Sequence, residues 1–210
     1  MLTLERPRRK AVKPAKRCYG PSANGVQMTP REFDRADFER GWQYELVNGV
    51  LIVSPTQDLS ERDANEHLGS WLRNYREGHP QGQTLDFTVF DHDIETGDNR
   101  RRADRAIWTS LGRLPCKNDT PTIVVEFVSG TRRDCIRDDE TKRDEYLAVG
   151  VREYWVFDRF ARTLTVWTIK NGRKHKRVLR DDQTYSTPRL PGFVLAIGRL
   201  IELANRWSDE

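Results

Sequence analysis

A carboxylate stands in the middle of a segment that ought to be buried. From Thr122 to Val128 every residue except Glu126 is β-branched or aromatic, and Ser129-Gly130 ends the run. Such a run reads as an interior strand. A lone desolvated carboxylate there must be paired, bound to a metal or neutralised. A second acid, Asp104, lies in the segment Arg102 to Trp108, which also reads as a strand. Side chains alternate along a strand, so Thr122, Val124, Glu126 and Val128 share one face, as do Asp104, Ala106 and Trp108. If the two strands are neighbours, Asp104 and Glu126 converge. Two carboxylates sharing a site repel unless a divalent cation sits between them, and hard oxygen donors suit magnesium. The competing arrangement pairs each acid with an arginine, since Arg101, Arg102 and Arg105 flank Asp104. The residues alone leave both open.

A cation usually accompanies such a pair. Asp138, Lys142 and Tyr146 fall at steps of four in a segment, 137–150, that reads as a helix stopped by Gly150. Lys142 is therefore a candidate to reach over the sheet toward Glu126. The plainer alternative is an exposed Asp138–Lys142 pair worth only about 0.3–0.5 kcal/mol. Tyr146 either hydrogen-bonds within the site or packs the helix on the sheet. Other metal chemistries find little support. His67, His79, His92 and His175 are scattered without paired spacing, and Cys18, Cys116 and Cys135 form no CxxC. Three cysteines argue against a disulfide framework and fit a reducing cytoplasm.

The elements that must position these groups follow from periodicity. Thr29 as cap, Pro30 at the first helical position and Gly41 as terminator predict a helix over 29–41. Residues 44–55 predict a β-hairpin about Asn48-Gly49. Ser60 as cap, with Leu68, Trp71, Leu72 and Tyr75 at helical spacing, predicts a helix over 60–78. Strands are expected near 83–94, 102–108, 122–128, 151–158 and 162–170, with a further one after Gly172 and a closing helix near 196–207. Strands 122–128 and 151–158 flank a single helix, a βαβ unit that favours parallel pairing and a right-handed crossover. A mixed sheet with helices on its faces follows.

The chain's 210 residues suffice for one domain. No run approaches the roughly 20 apolar residues that span a bilayer, and the N-terminus lacks the apolar core of a secretory signal. Seven cations against Glu5 alone give residues 1–27 a net charge of +6, leaving −2 on the other 183. The expected organisation is a disordered basic tail, 1–27, able to touch phosphates, followed by a single domain, 28–210.

The segments YELVNGVL (44–51), RRADRAIW (101–108), TIVVEFVSG (122–130), the Asp138–Lys142–Tyr146 stripe and GVREYWVFD (150–158) occur in the order and spacing of one family. Over about residues 28–200 the chain resembles the Uma-type restriction endonucleases, a branch of the PD-(D/E)XK nuclease superfamily. The resemblance implies a restriction-endonuclease-like α/β core: a mixed sheet flanked by helices, with an N-terminal hairpin. It matches Asp104 to the first metal-binding acid and Glu126 to the second. The superfamily lysine, usually two residues after that acid where Val128 stands, is matched by Lys142 on the following helix, and Glu45 is a further acidic member. Ala103 replaces the family's proline, and Ser129-Gly130-Thr131 replaces its Ser-Pro-Ser-Thr loop; neither change removes a ligand.

Two functions are then expected in order. The first is a magnesium-dependent DNA endonuclease, with manganese as a possible substitute, in which Asp104 and Glu126 hold the metal and Lys142 positions water or stabilises charge. The alternative is a non-catalytic nuclease fold that binds DNA or protein. A homodimer is plausible by analogy with enzymes that cut both strands, and no membrane association is expected.

Overall fold

A computed structural model describes residues 17–129 and 132–207, without the side chains of 132–139. In chain order its elements are β1 (Cys18–Tyr19), α1 (Pro30–Phe33), β2 (Asp37–Phe38), β3 (Trp42–Val47), β4 (Val50–Pro55), α2 (Leu59–Gly78), β5 (Leu85–Thr96), β6 (Asn99–Thr109), β7 (Ile123–Phe127), α3 (Arg132–Ala148), β8 (Glu153–Asp158), β9 (Thr163–Lys170), β10 (Arg173–Arg180), β11 (Thr184–Tyr185), β12 (Leu195–Ala196) and α4 (Ile197–Asn205). Eight strands form one mixed sheet in the order β10-β9-β8-β7-β6-β3-β4, with β5 paired to β6 beside this path. The expected βαβ unit is present: β7 and β8 run parallel on either side of α3.

Alternation sends the apolar residues of β7 and β8 to two cores, one on each face, while Tyr44, Leu46 and Leu51 of the β3–β4 hairpin form a third with Met28 and Phe33. Ile123 and Val125 of β7, with Trp155 and Phe157 of β8, pack against Leu68 and Leu72 of α2 and Leu200 and Ile201 of α4. On the other face Val124, Tyr154 and Val156 pack against Tyr146 of α3. The helix between β7 and β8 is polar along most of its length; Tyr146 and Leu147 are its buried apolar residues among those described.

One long strand organises the site. Along one edge β6 pairs with β5 over nearly its whole length. Along the other it meets β3 at Arg100 and β7 only at Arg105–Ile107. Between those points, at residues 101–104, the sheet splits, and backbone groups of β6 are met by side chains instead of a strand. The Arg102 N–H donates to Glu45 Oε1 at 2.8 Å, and the Asp104 carbonyl accepts from Asn65 Nδ2 at 2.8 Å. On the far edge Asp91, at φ 56°, interrupts β5 opposite Asp104.

Three expectations need correction. The helix at 29–41 stops after one turn. Thr29 and Glu32 do form a reciprocal cap, but the chain leaves helix at Asp34, which lets Phe33 pack on Phe38 and Phe38 on Tyr44 in one cluster. Asp58, not Ser60, caps α2: its carboxylate accepts the Glu61 N–H at 2.9 Å while Ser60 is buried. Residues 17–27, expected in the tail, lie on the β3–β4 hairpin, where Gly25 N–H donates to Leu51 O and Leu51 N–H to Val26 O, both at 2.8 Å. The fold therefore starts at least by residue 17. The rest of the expected tail, and the side chains of Asp138 and Cys135, lie outside the described residues. The hairpin turn itself follows expectation, with Asn48 and Gly49 at φ 51° and 76°, the left-handed pair that a type I′ turn requires. No helix among the described residues is long and apolar enough to cross a membrane.

Candidate active site

Asp104 and Glu126 face each other across the end of the β6–β7 ladder. The register Arg105–Val125, Ala106–Val124 continues to this pair, and alternation puts both on the α3 face. The last rung is made by a side chain: Asp104 Oδ2 accepts the Phe127 N–H at 2.6 Å. Glu126 Oε1 accepts from the Tyr146 hydroxyl at 3.1 Å. Both acids are buried, with 9% and 7% of their surface exposed.

Lys142 arrives from α3 as the spacing suggests. Its Nζ is 3.3 Å from Glu45 Oε1 and 3.8 Å from Glu126 Oε1. The hairpin contributes Glu45, held by the Arg102 N–H and lying 3.7 Å from the Arg101 guanidinium. The four residues singled out in the sequence, Glu45, Asp104, Glu126 and Lys142, thus line one cleft. Tyr146 serves both roles considered for it, since it is fully buried and also hydrogen-bonds Glu126.

The arginine alternative is answered by where each guanidinium goes. Arg101 forms two hydrogen bonds to Glu145 at 2.7 and 3.0 Å. Arg102 pairs with Asp91 and Asp93. Arg105 crosses to the α2 side, where Asn65 accepts from it through Oδ1 and its carbonyl, both at 2.7 Å. Among the described residues none of the three pairs with Asp104 or Glu126.

Burial pushes the carboxyls of Asp104 and Glu126 above their ordinary range, opposed by the Lys142 ammonium and, at Asp104, by the Phe127 N–H. Two buried acids in contact are thus undercharged by the protein's own cations, and a bound cation would relieve them. Among the described residues no three acidic, histidine or cysteine side chains group as a ready-made metal cage. Two carboxylates are nevertheless the usual protein share of a magnesium site, which fills its shell with water and phosphate oxygens. The donor set fits that ion. The Gln57 amide NH2, a hydrogen-bond donor and not a metal ligand, is buried in the cleft wall close to Asp104, and its Nε2 makes no hydrogen bond of normal geometry among the described residues.

Besides Gln57, one cleft residue and one residue that supports the cleft were not singled out from sequence. Glu61, in the first turn of α2, is buried in the wall, where desolvation and then Asp104 raise its carboxyl to about 8. Its signal was the spacing from Asp58, an acid three residues after a capping residue. Asn65 carries the Asp104 carbonyl and the Arg105 guanidinium together. Its signal was a polar side chain on the stripe that continues through Leu68 and Leu72.

The comparisons with known proteins agree with this geometry at the level of family and fold. No curated protein matches the chain. The crystal structure of a putative nuclease belonging to DUF820 from Anabaena variabilis ATCC 29413 superimposes with a TM-score of 0.67 at 14% identity, covering 84% of this chain and 99% of that one. At that identity the likeness speaks for the fold. The family model described as "Uma2: Putative restriction endonuclease" matches residues 30–198. The chain belongs to the Uma2 family.

Proposed function

We propose that this protein is a metal-dependent DNA endonuclease that hydrolyses phosphodiester bonds at the cleft between β3, β6 and β7. The observation that carries the reading is the meeting of Asp104 and Glu126 on neighbouring strands with the Lys142 amine 3.8 Å from Glu126. Asp104 and Glu126 would hold magnesium, or manganese in its place. When bound, such an ion supplies positive charge against the phosphate oxygens and makes water a better nucleophile at neutral pH.

The chain's own residues do the rest. The Phe127 N–H fixes the Asp104 carboxylate and the Tyr146 hydroxyl fixes that of Glu126, so neither needs to reorganise when substrate arrives. Lys142 brings a full positive charge to the pocket, where it stabilises negative charge developing on the phosphate and holds the attacking water in line. Glu45 acts on Lys142: at 3.3 Å it sets the position of the amine. Gln57 offers an N–H to a phosphate oxygen.

The test is nicking of supercoiled plasmid in magnesium or manganese. Wild-type protein nicks, chelator stops it, and Glu126→Gln and Lys142→Met each lower the rate at least a hundredfold. Equal nicking by folded variants would overturn the assignment. One observation favours the non-catalytic alternative, the lack of a third acid, histidine or cysteine close enough to complete a cage among the described residues. Calorimetry separates the two: magnesium binding abolished by Asp104→Asn and retained by Lys142→Met supports catalysis, and no binding in the wild type supports the alternative.

A further inference from the structure

Rows of paired residues run from the cleft to the outer edge of the sheet. Glu126 pairs with Val156, Val156 with Thr165, and Thr165 with Val178. Val178 therefore lies on the face that carries Glu126, and by alternation so do Lys174, Lys176 and Arg180. Three inter-strand spacings separate Glu126 from Val178, about 15 Å. Helix α3 stands on this face between them, with Tyr146 packed against Val124 and Tyr154.

The edge strand is strongly basic. From Arg159 to Arg180 the chain carries eight lysines and arginines, one histidine and no acid. In β10 Arg173 to Val178 are all exposed, as is Arg180. Few of these charges are neutralised. Lys174 pairs with Asp144 at 2.7 Å, and Arg162 pairs with Asp181. Arg173, Lys176, Arg177 and Arg180 pair with no acid among the described residues. An aromatic platform accompanies them: the Arg143 guanidinium lies 4.4 Å and the Lys176 ammonium 5.3 Å from the Trp167 ring centre. Lysines on a free sheet edge also discourage edge-to-edge pairing. That purpose is met by one or two charges and leaves unexplained the three exposed cations, Lys174, Lys176 and Arg180, on the face of the cleft.

We propose that the β9–β10 hairpin is a docking surface for the phosphate backbone of duplex DNA, holding the duplex across α3 while a scissile phosphate occupies the cleft. The proposal rests on the nuclease reading above and names where its substrate is gripped. The scale agrees: the roughly 15 Å between edge and cleft lies within one turn of B-DNA, about 34 Å, and such a duplex offers a charge every ~1.7 Å of axis. Contacts of this kind position the duplex without reading its sequence.

The experiment compares the full chain with its Lys174→Gln/Lys176→Gln/Arg180→Gln variant, which removes the cations on the cleft's face, in chelator, where no cleavage occurs. Fluorescence anisotropy with a labelled mixed-sequence DNA duplex of about two helical turns is followed against salt. The basic N-terminal tail is present in both proteins, so its contribution cancels. The variant should lose ~0.9 of salt slope per phosphate contact removed, up to about 2.7, and bind roughly 10- to 100-fold more weakly near physiological salt. Its thermal midpoint should stay unchanged, because the three side chains are exposed. An unchanged slope overturns the proposal, whether or not the variant self-associates. So does a loss of binding to anionic phospholipid vesicles with DNA binding intact. These outcomes leave plasmid nicking by the wild type untouched; absence of that nicking in magnesium and manganese is what overturns the underlying nuclease reading.

Discussion

Replacing Glu61 by glutamine should stabilise the protein, and by an amount that depends on pH. Glu61 sits buried in the cleft wall with its carboxyl raised from 4.5 to about 8, first by desolvation and then by the charges of Asp104 and Asp58. Between those two values the folded chain holds a proton that the unfolded chain has released. Stability therefore falls as pH rises through the window, by about 1.4 kcal/mol per unit. At pH 5 the loss is under about 1 kcal/mol, and at pH 7.5 it reaches about 4 kcal/mol. Glutamine has the same shape and does not titrate. Glu61→Gln is therefore ahead by about 4 kcal/mol at pH 7.5 and by under about 1 kcal/mol at pH 5. For a chain of this size the gain at pH 7.5 corresponds to a rise of roughly 8–16 °C in Tm. The assay is urea unfolding followed by tryptophan fluorescence, in chelator, for both proteins at both pH values. A difference that is the same at pH 5 and pH 7.5, or a glutamine variant less stable at pH 7.5, would refute the reasoning.

Other substitutions probe the supports of the site. Asn65→Ala removes the Oδ1 acceptor of the buried Arg105 Nε–H, leaving the backbone carbonyl and the Thr88 hydroxyl as the guanidinium's acceptors, and removes the donor to the Asp104 carbonyl. It should cost about 3 kcal/mol, and a change in unfolding free energy within about 0.5 kcal/mol of wild type would show that Arg105 finds another partner. Tyr146→Phe deletes the hydroxyl that steadies the ionised form of Glu126. The Glu126 carboxyl then moves further up, so the acidic limb of the nicking pH profile shifts to higher pH; a superimposable profile would mean that the hydroxyl serves packing alone.

Much of the architecture was legible in local pattern. The βαβ unit could be read because two unbroken apolar strands flank one helical segment, and parallel neighbours need such a crossover. The β3–β4 hairpin could be read because Asn48-Gly49 supplies the two left-handed residues its turn demands. The helix over 29–41 was misread because its cap is real while its continuation is governed by packing: Phe33, Phe38 and Tyr44 form a cluster that a straight helix could not close.

For the site, alternation along each strand fixed which face Asp104 and Glu126 occupy, and the helical period fixed the stripe that carries Lys142 and Tyr146. Those are properties of the backbone within one element. Whether β6 and β7 are neighbours, and in which register, is a contact between residues far apart in sequence, and only the folded sheet decides it. The split of the sheet at residues 101–104, which lets Glu45 and Asn65 replace a missing strand, has no local signature because it arises from two strands leaving the same edge of β6. The destinations of Arg101, Arg102 and Arg105 belong to the same class: three arginines within one short segment look alike in sequence, and alternation together with their distant partners sends them to different places.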